Sequence, residues 1–525
     1  MRTWSSRQLT AVVSSFSITL IIISSLYFYS GPQILPDLGD TPVFVPPGSV
    51  DTSHHGDLGP EAEYSSDPPG GSWGRLGDEW WSGMKSGIGK IATHWGLSPE
   101  RAEQVAKIRS LSENLQEYYT LDSRPARVLN YPALEQLASC LENWKCTKAQ
   151  EKVVILASGH FQYAVAQINL GGEDIWAMST IEAFQSLNYT VLFANGPMEA
   201  YLIYSHMPDM VKTVIFEPLW GDQCNERNND TYLDSEDEDA EATWQTGEKG
   251  CGRRVGFEQG IPLWKSFHYH FWTGPSGPLG HTWTLAPEDW QFRRGGHENQ
   301  YLGYSIETYC HTRHFYPPEE RDHRGFTLAK MKHYFYQNFA WENALNDAVD
   351  IVPAQHVEED GEEVPFHLVA AAHSDDGILT LAPYKVDNIG RVPREAWYDT
   401  LSRSKFMLGI AYDALCLGVP FINPIWDWDR DHPDDKFKWE GQHEGLFFIP
   451  EPYVYNVKVG DAEGLQAALV KAVANPIGSY IPPRCTREAV RERHRLLVET
   501  DWLPVAQRYV QEEYLDQGKE WNYLL

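Results

Sequence analysis

The chain has 525 residues, 42% of them apolar and 13% aromatic, which is ample material for packed cores and excludes wholesale disorder. Lys and Arg number 43 against 73 Asp and Glu, and a formal charge of −30 argues against a nucleic-acid binder, whose phosphate partner needs a basic face. At about 150 residues per domain the length suggests roughly three domains. The 20 Trp and 27 Tyr offer flat faces that suit sugar rings, although the same rings fill ordinary cores.

Residues 9–28, LTAVVSSFSITLIIISSLYF, carry no charge over a length that crosses a ~30 Å hydrocarbon layer as a helix. Arg2 and Arg7 precede this run and no Lys or Arg follows before Arg75. Charge asymmetry of that kind places residues 1–8 in the cytosol, anchors the chain through 9–28, and sends the remainder outside or into a lumen. A cleaved signal peptide is the alternative, disfavoured by the length of the apolar run and by the lack of a small-x-small site after it. Residues 29–97, rich in Pro, Gly, Ser and Asp, read as a stem too polar and too broken to pack. Asn188-Tyr-Thr and Asn229-Asp-Thr are glycosylation sequons that a lumenal chain can use. Of the seven Cys, proximity pairs Cys140 with Cys146 and Cys224 with Cys251. Cys416, inside ALCLGVPF, reads as a buried free thiol.

Residues 98–148 form a helical segment, opened by Ser98 as N-cap and Pro99 at the first helical position. From 149 to 322 the pattern is that of an α/β lobe. The apolar run VVILA ending in Ser-Gly predicts a buried parallel strand, DIWAMSTIEAFQSL a helix, and TVLFANG and VKTVIFE two further strands. The acidic run from Asp234 to Glu241 reads as a solvated loop. A second α/β lobe spans 323–525. It begins with a helix-like stretch, FTLAKMKHYFYQNFAWENAL, followed by the strand PFHLVAAA. The helix EAWYDTLS, the strand KFMLGI, the short helix YDALCLG and the strand VPFINP come next. An amphipathic helix follows, with Asp461 as its N-cap. Two Rossmann-like lobes would face one another across a cleft, and ligands of such sheets lie at the carboxyl ends of the strands.

Gly171-Gly172-Glu173 stands between the first strand and its helix, where glycines let a ligand approach the backbone. Glu173 reads either as a general base aimed into the cleft or as a favourable acid in a helix's first turn. No GxGxxG or GxxxxGK[ST] occurs at a strand-to-helix turn, and no GxSxG, HExxH or CxxC is present, so several common enzyme classes find no support. Asp427-Trp-Asp-Arg-Asp431 resembles an Asp-x-Asp metal clamp, but a solvated acidic loop explains it as well. His268, His270 and His281 lack the spacing of a zinc site. Asp413 opens a short helix before a buried strand, a place from which a carboxylate could grip a ribose diol.

Three blocks then carry a resemblance: SKFMLGI…YDALCLGVPFINP from Ser404, EGLFFIPEPYVYNVKV from Glu444, and NPIGSYIPPRCT from Asn475. Together with Gly171–Asn195 and NQYLGYSIE from Asn299, they resemble glycosyltransferase family 18, the N-acetylglucosaminyltransferase V family, over roughly residues 150–500. The resemblance implies a GT-B fold, UDP-GlcNAc as donor, inversion without an obligatory metal or other cofactor, and a mannose of a protein N-glycan as acceptor. It implies a single-pass type II protein of the Golgi membrane. It makes Glu173 the catalytic base and Asp413 the ribose-binding carboxylate, with Gly171, Gly172 and Ala414 beside the donor. The segment from the LGI strand to the carboxylate is several residues shorter here than in the family, and the carboxylate is Asp rather than Glu. Another nucleotide-sugar donor, or a glycan-binding protein without turnover, is the alternative.

Overall fold

A computed structural model describes residues 98–118, 128–166, 172–225, 250–289 and 299–525, less 255, 272–273, 329–330, 334, 336–341, 357–362, 375–376, 378, 382–384, 409–411 and 442. The apolar run 9–28, the stem, Gly171, Asn229 and the acidic run 234–241 lie outside the described residues. Among the described residues no helix is long and apolar enough to cross a membrane.

The first sheet is wholly parallel. It contains β1 (Val153–Ala157), β2 (Thr190–Phe193), β3 (Val211–Phe216), β4 (Ser266–Tyr269), β5 (Thr284–Ala286) and β6 (Gln300–Tyr301), in the spatial order β2-β1-β3-β4-β5-β6. All five residues of β1 are buried, as an unbroken apolar run requires of a strand covered on both faces. Val154 and Leu156 enter one core with Trp176, Ile181 and Phe184 of the helix Gly172–Ser186. Val153 and Ile155 enter the opposite core with the helices Pro99–Tyr118 and Asn130–Glu142. Ser98 Oγ accepts from the Arg101 amide at 3.3 Å, so the helix starts where the Ser-Pro pair predicts.

The second sheet holds β7 (Arg324–Thr327), β10 (His367–Ala370), β11 (Val386–Asn388), β12 (Met407–Leu408), β13 (Phe421–Asp427) and β15 (Val454–Lys458), all parallel, with β14 (Glu440–Gly441) antiparallel to β13. A two-stranded ribbon, β8 (Gln355–His356) with β9 (Glu363–Val364), stands apart. The parallel order β11-β10-β7-β12-β13-β15 is the doubly wound order 3-2-1-4-5-6. Both lobes are therefore α/β with parallel sheets.

Three expectations are corrected. The stretch FTLAKMK is not the start of a helix, because Gly325–Thr327 belong to β7 and Met331 makes a parallel bridge with His373. A Cβ at Gly325 would run into the Phe406 ring and Leu368, so the glycine is fixed by sheet packing. The strand VPFINP does not stop at its second proline: β13 continues to Asp427. Its neighbour β12 reaches only to Ile422, so at Pro424 that edge needs no donor, and the proline costs no ladder bond. Third, the helices Arg487–Glu499 and Trp502–Val510, assigned above to the second lobe, pack on the first, through Leu497, Val498, Trp502, Ala506 and Val510.

Disulfides join Cys140 to Cys146 and Cys224 to Cys251, as proximity suggests, and also Cys310 to Cys416. The expected free thiol at Cys416 is thus wrong. Its apolar surroundings are those of a buried cystine, and the buried free thiol is Cys485. Burial pushes the Cys485 pKa up to about 12, which leaves it unreactive.

Candidate functional site

Each sheet reverses strand order at one point, and each reversal gathers ionisable side chains. In the first lobe the reversal lies between β1 and β3. Ser158 and Gly159 leave β1, and Glu217, the residue after β3, accepts from the Gly159 amide at 3.2 Å and the Ser158 hydroxyl at 3.3 Å. This bond fixes the start of the helix Gly159–Ala166 and presents His160 at the strand end. His160 Nδ1 lies 3.1 Å from Asp174 Oδ1, on the first turn of the helix Gly172–Ser186. Burial works against the imidazolium, but the hydrogen bond and charge of Asp174, with Glu217 and Glu173 around it, raise the His160 pKa above its ordinary value.

Glu173 is half-buried in that same turn. The Tyr269 hydroxyl, from the end of β4, donates to the Glu173 carbonyl at 3.4 Å, and the Tyr269 ring stacks on Trp176 one turn on. The turn is thereby pinned to the sheet. Two residues after Glu173, Ile175 packs against the apolar cluster that includes Tyr412, Ala414 and Leu415 among its members. Gly172 opens this helix.

The second lobe reverses between β7 and β12. After Leu408 the chain reaches Tyr412 and the four-residue helix Asp413–Cys416, all of it buried. Asp413 is 6% exposed. Desolvation raises its pKa to about 6, against the opposing pull of Arg394, a hydrogen bond from Tyr398, Arg313 and His443. Its Oδ1 has no hydrogen-bond partner. Ala414 is fully buried in the helix, among apolar neighbours. The Cys310–Cys416 disulfide ties this helix to Glu307–Cys310.

Between the lobes lies a network that the sequence did not announce. Glu288 follows β5 in the first lobe and is 5% exposed. Its Oε2 accepts from the Tyr412 hydroxyl at 2.6 Å, and its Oε1 lies 2.7 Å from His443 Nδ1. Next to it, Asp289 pairs with Arg484 at 2.6 Å. Only the adjacency of Glu-Asp to a strand end hinted at either residue. Partners 124 and 155 residues away leave no spacing to read.

The remaining candidates fall elsewhere. Asn188 is exposed in a left-handed turn at φ 58°, accessible for modification. Two of the three carboxylates of the Asp427–Asp431 run are engaged by nearby basic side chains. Asp427 pairs with Arg430 at 3.2 Å and Asp429 with Lys438 at 2.7 Å, and the hydrogen bond from Lys438 draws the Asp429 pKa down to about 2. His268 is buried, with Nδ1 2.7 Å from the Ser276 hydroxyl, and His281 Nδ1 lies 2.9 Å from Asn299 Oδ1. Among the described residues no group of three or more His, Cys, Asp or Glu is placed to hold a metal ion.

No family model matches the chain, and no curated protein matches it in sequence. Among solved structures it is similar to the glycotransferase of kitacinnamycin, at 10% identity over 69% of this chain and 98% of that one, with a TM-score of 0.26. It is similar to the spinosyn rhamnosyltransferase SpnG, at 12% identity over 69% and 100%, with a TM-score of 0.26. A third is SnogD, the glycosyltransferase from Streptomyces nogalater, at 10% identity over 69% and 99%, with a TM-score of 0.26. Superpositions this loose carry no weight; the strand orders define the fold.

Proposed function

We propose that the chain is an inverting glycosyltransferase of GT-B type that transfers GlcNAc from UDP-GlcNAc in β linkage, β-1,6 by the family resemblance, to a mannose of a protein N-glycan. The observation that carries this reading is the pair of sheet reversals, one lobe bearing Glu173 and the other the buried Asp413, with Ile175 of the Glu173 helix packed against the apolar cluster that holds Tyr412 and Ala414, the neighbours of Asp413 in sequence. The PFINP and EPYVYNV blocks carry the family resemblance from which the donor is proposed.

In this scheme Glu173 takes the proton from the acceptor hydroxyl as its oxygen attacks the anomeric carbon from the face opposite UDP. The bond to the UDP oxygen breaks with its electron pair, and UDP departs. Asp413 binds the ribose, and Arg394 and Arg313, whose charges reach Asp413, place positive charge on the donor side. The resemblance carries no obligatory metal. The chain would sit in the Golgi membrane as a single-pass type II protein, with the lumenal part glycosylated at Asn188 and Asn229. Three disulfides support an oxidising compartment.

The test is transfer to an N-glycan acceptor from a panel of nucleotide sugars, with and without EDTA. Transfer from UDP-GlcNAc in chelator is the expected result. Transfer from another donor replaces the donor assignment, and loss in EDTA restored by manganese overturns the mechanism. The four residues between Leu408 and Asp413 favour one second reading, a glycan-binding protein without turnover. Calorimetry in which glycan binds and no nucleotide does would establish it.

A further inference from the structure

The rings around the first lobe's reversal form a surface that proton transfer to Glu173 does not by itself require. His160 follows β1 and Phe271 follows β4, and their rings meet in a T-shaped contact at 5.3 Å between centroids. Phe271 also stands nearly perpendicular to Trp176 and to Tyr269, 5.1 Å from each, while those two stack on one another. Three neighbours at steep angles hold the Phe271 ring in place, and it remains half-buried. Tyr163, one turn after His160, lies 6.4 Å from the same imidazole.

His160 is held through one edge of its ring. Its Nδ1 meets Asp174 at 3.1 Å, and the Asp174 side chain is 7% exposed against 29% for His160. A carboxylate accepts, so the imidazole proton sits on Nδ1, and Nε2 is the remaining polar atom. A hydroxyl suits Nε2 in either charge state, donating to the neutral ring or accepting from the charged one. Glu173 adjoins this surface twice. Its carbonyl accepts from the Tyr269 hydroxyl at 3.4 Å, and its charge is felt at His160. Ile175, the residue after Asp174, packs against the apolar cluster that includes Tyr412 and Ala414, so the same turn reaches the second lobe.

A pyranose presents an apolar C–H face and a rim of hydroxyls. A fixed aromatic ring beside one hydrogen-bonding side chain complements that pattern, as an apolar wall with a few placed polar groups. We infer that His160 and Phe271 form the subsite that holds the acceptor sugar beside Glu173, with His160 bonding a hydroxyl other than the reacting one, Phe271 covering the C–H face, and Asp174 positioning His160. The inference rests on the glycosyltransferase reading above and names the residues that select its acceptor.

Initial rates at saturating UDP-GlcNAc, with a mannoside acceptor and its monodeoxy analogues, test it. The wild type is expected to use one deoxy analogue about tenfold less well than the parent sugar, the worth of one hydrogen bond. His160→Ala is expected to raise the acceptor KM about tenfold, to leave the donor KM unchanged and to lose that discrimination. His160→Gln, whose amide bonds a hydroxyl in either direction, recovers part of it. Phe271→Ala raises the acceptor KM about two- to tenfold for every analogue, and Phe271→Tyr, which keeps the ring, restores most of the loss. Asp174→Asn raises the acceptor KM less than His160→Ala does. A wild type that uses all the deoxy analogues equally overturns the inference. So does a His160→Ala enzyme that keeps the full discrimination, which assigns the His160–Asp174 contact to holding the helix turn, or one whose donor and acceptor KM rise together. These outcomes leave the transferase reading standing. A wild type that transfers to no mannoside from any nucleotide sugar overturns the transferase reading and this subsite with it.

Discussion

Glu288 of the first lobe accepts a 2.6 Å hydrogen bond from the hydroxyl of Tyr412 in the second, with both side chains buried. His443 shares the same carboxylate at 2.7 Å. Removing the carboxylate leaves two buried donors without an acceptor, whereas removing the Tyr412 hydroxyl leaves the carboxylate still bound to His443. Glu288→Ala is therefore expected to cost about 3 kcal/mol and Tyr412→Phe about 1 kcal/mol. The double variant should cost less than the sum, since the two share one bond. Denaturant unfolding of the three proteins decides it; additive losses would show that the two groups do not interact.

Asp413 pays in stability for its place. Its pKa of about 6 in the fold exceeds the 3.8 of an unperturbed Asp. A group whose folded pKa is raised contributes fully below the unfolded value and loses that contribution as pH rises through the folded one. The protein therefore loses stability between about pH 4 and pH 6 through this residue, up to roughly 3 kcal/mol, and does not regain it at pH 7. Asp413→Asn is expected to melt higher than wild type at pH 7, with the advantage vanishing below about pH 4. Nucleotide affinity should move the opposite way. It falls in the wild type as pH drops through 6 and the acceptor takes up a proton, and it is low and flat in the Asn variant. Equal melting of the two proteins at pH 7 would mean that Asp413 is not strained by burial.

What was legible in the sequence follows from how far apart the cooperating residues lie. The strand VVILA is wholly buried because a run of five apolar residues leaves no polar face. Asp461 caps its helix by accepting from the Gly464 amide at 2.8 Å, a three-residue relationship visible in the string. Asp413 stood out as a lone acid in an apolar run. Glu288 and His443 did not, since each looks like an ordinary loop residue until the lobes meet. FTLAKMK was misread because Phe326 fits a helical period, while the reason for a strand, the press of Phe406 on Gly325, comes from 81 residues away (406 − 325). Cys416 was misread because apolar neighbours suit a buried thiol and a buried cystine alike.

The Cys310–Cys416 disulfide closes a loop with a sequence separation of 106 and holds the helix that begins at Asp413. A cross-link over that span restrains the unfolded chain, with a typical worth of about 2–4 kcal/mol. Cys310→Ser with Cys416→Ser is expected to lose that much stability. It should also weaken UDP binding more than Cys140→Ser with Cys146→Ser, whose bridge spans a separation of only 6 within the first lobe. Thermal melts and UDP titrations of both double variants test this. Equal nucleotide affinity in the two would separate the cross-link from the donor side.

Glu173 is the residue on which the proposed chemistry turns. It shares the first turn of its helix with Asp174, which is committed to His160 at 3.1 Å. Either acid satisfies the positive end of the helix, so the two differ in what else they do. A positioned base supplies about 10² to 10⁴ in rate, and Glu173→Gln keeps the size and polarity while giving up the proton acceptor. Turnover is expected to fall at least about 10²-fold, with little change in UDP affinity because the base faces the acceptor sugar. A residue that serves only the helix terminus behaves otherwise, since its neutralisation costs up to about 1 kcal/mol of stability and spares transfer. Asp174→Asn is the control. It removes a charge from the same turn and loosens His160, and its melting loss should exceed that of Glu173→Gln. Transfer rate and thermal midpoint measured on the same preparations separate the two roles, and a Glu173→Gln protein that melts early with wild-type turnover would remove Glu173 from the chemistry.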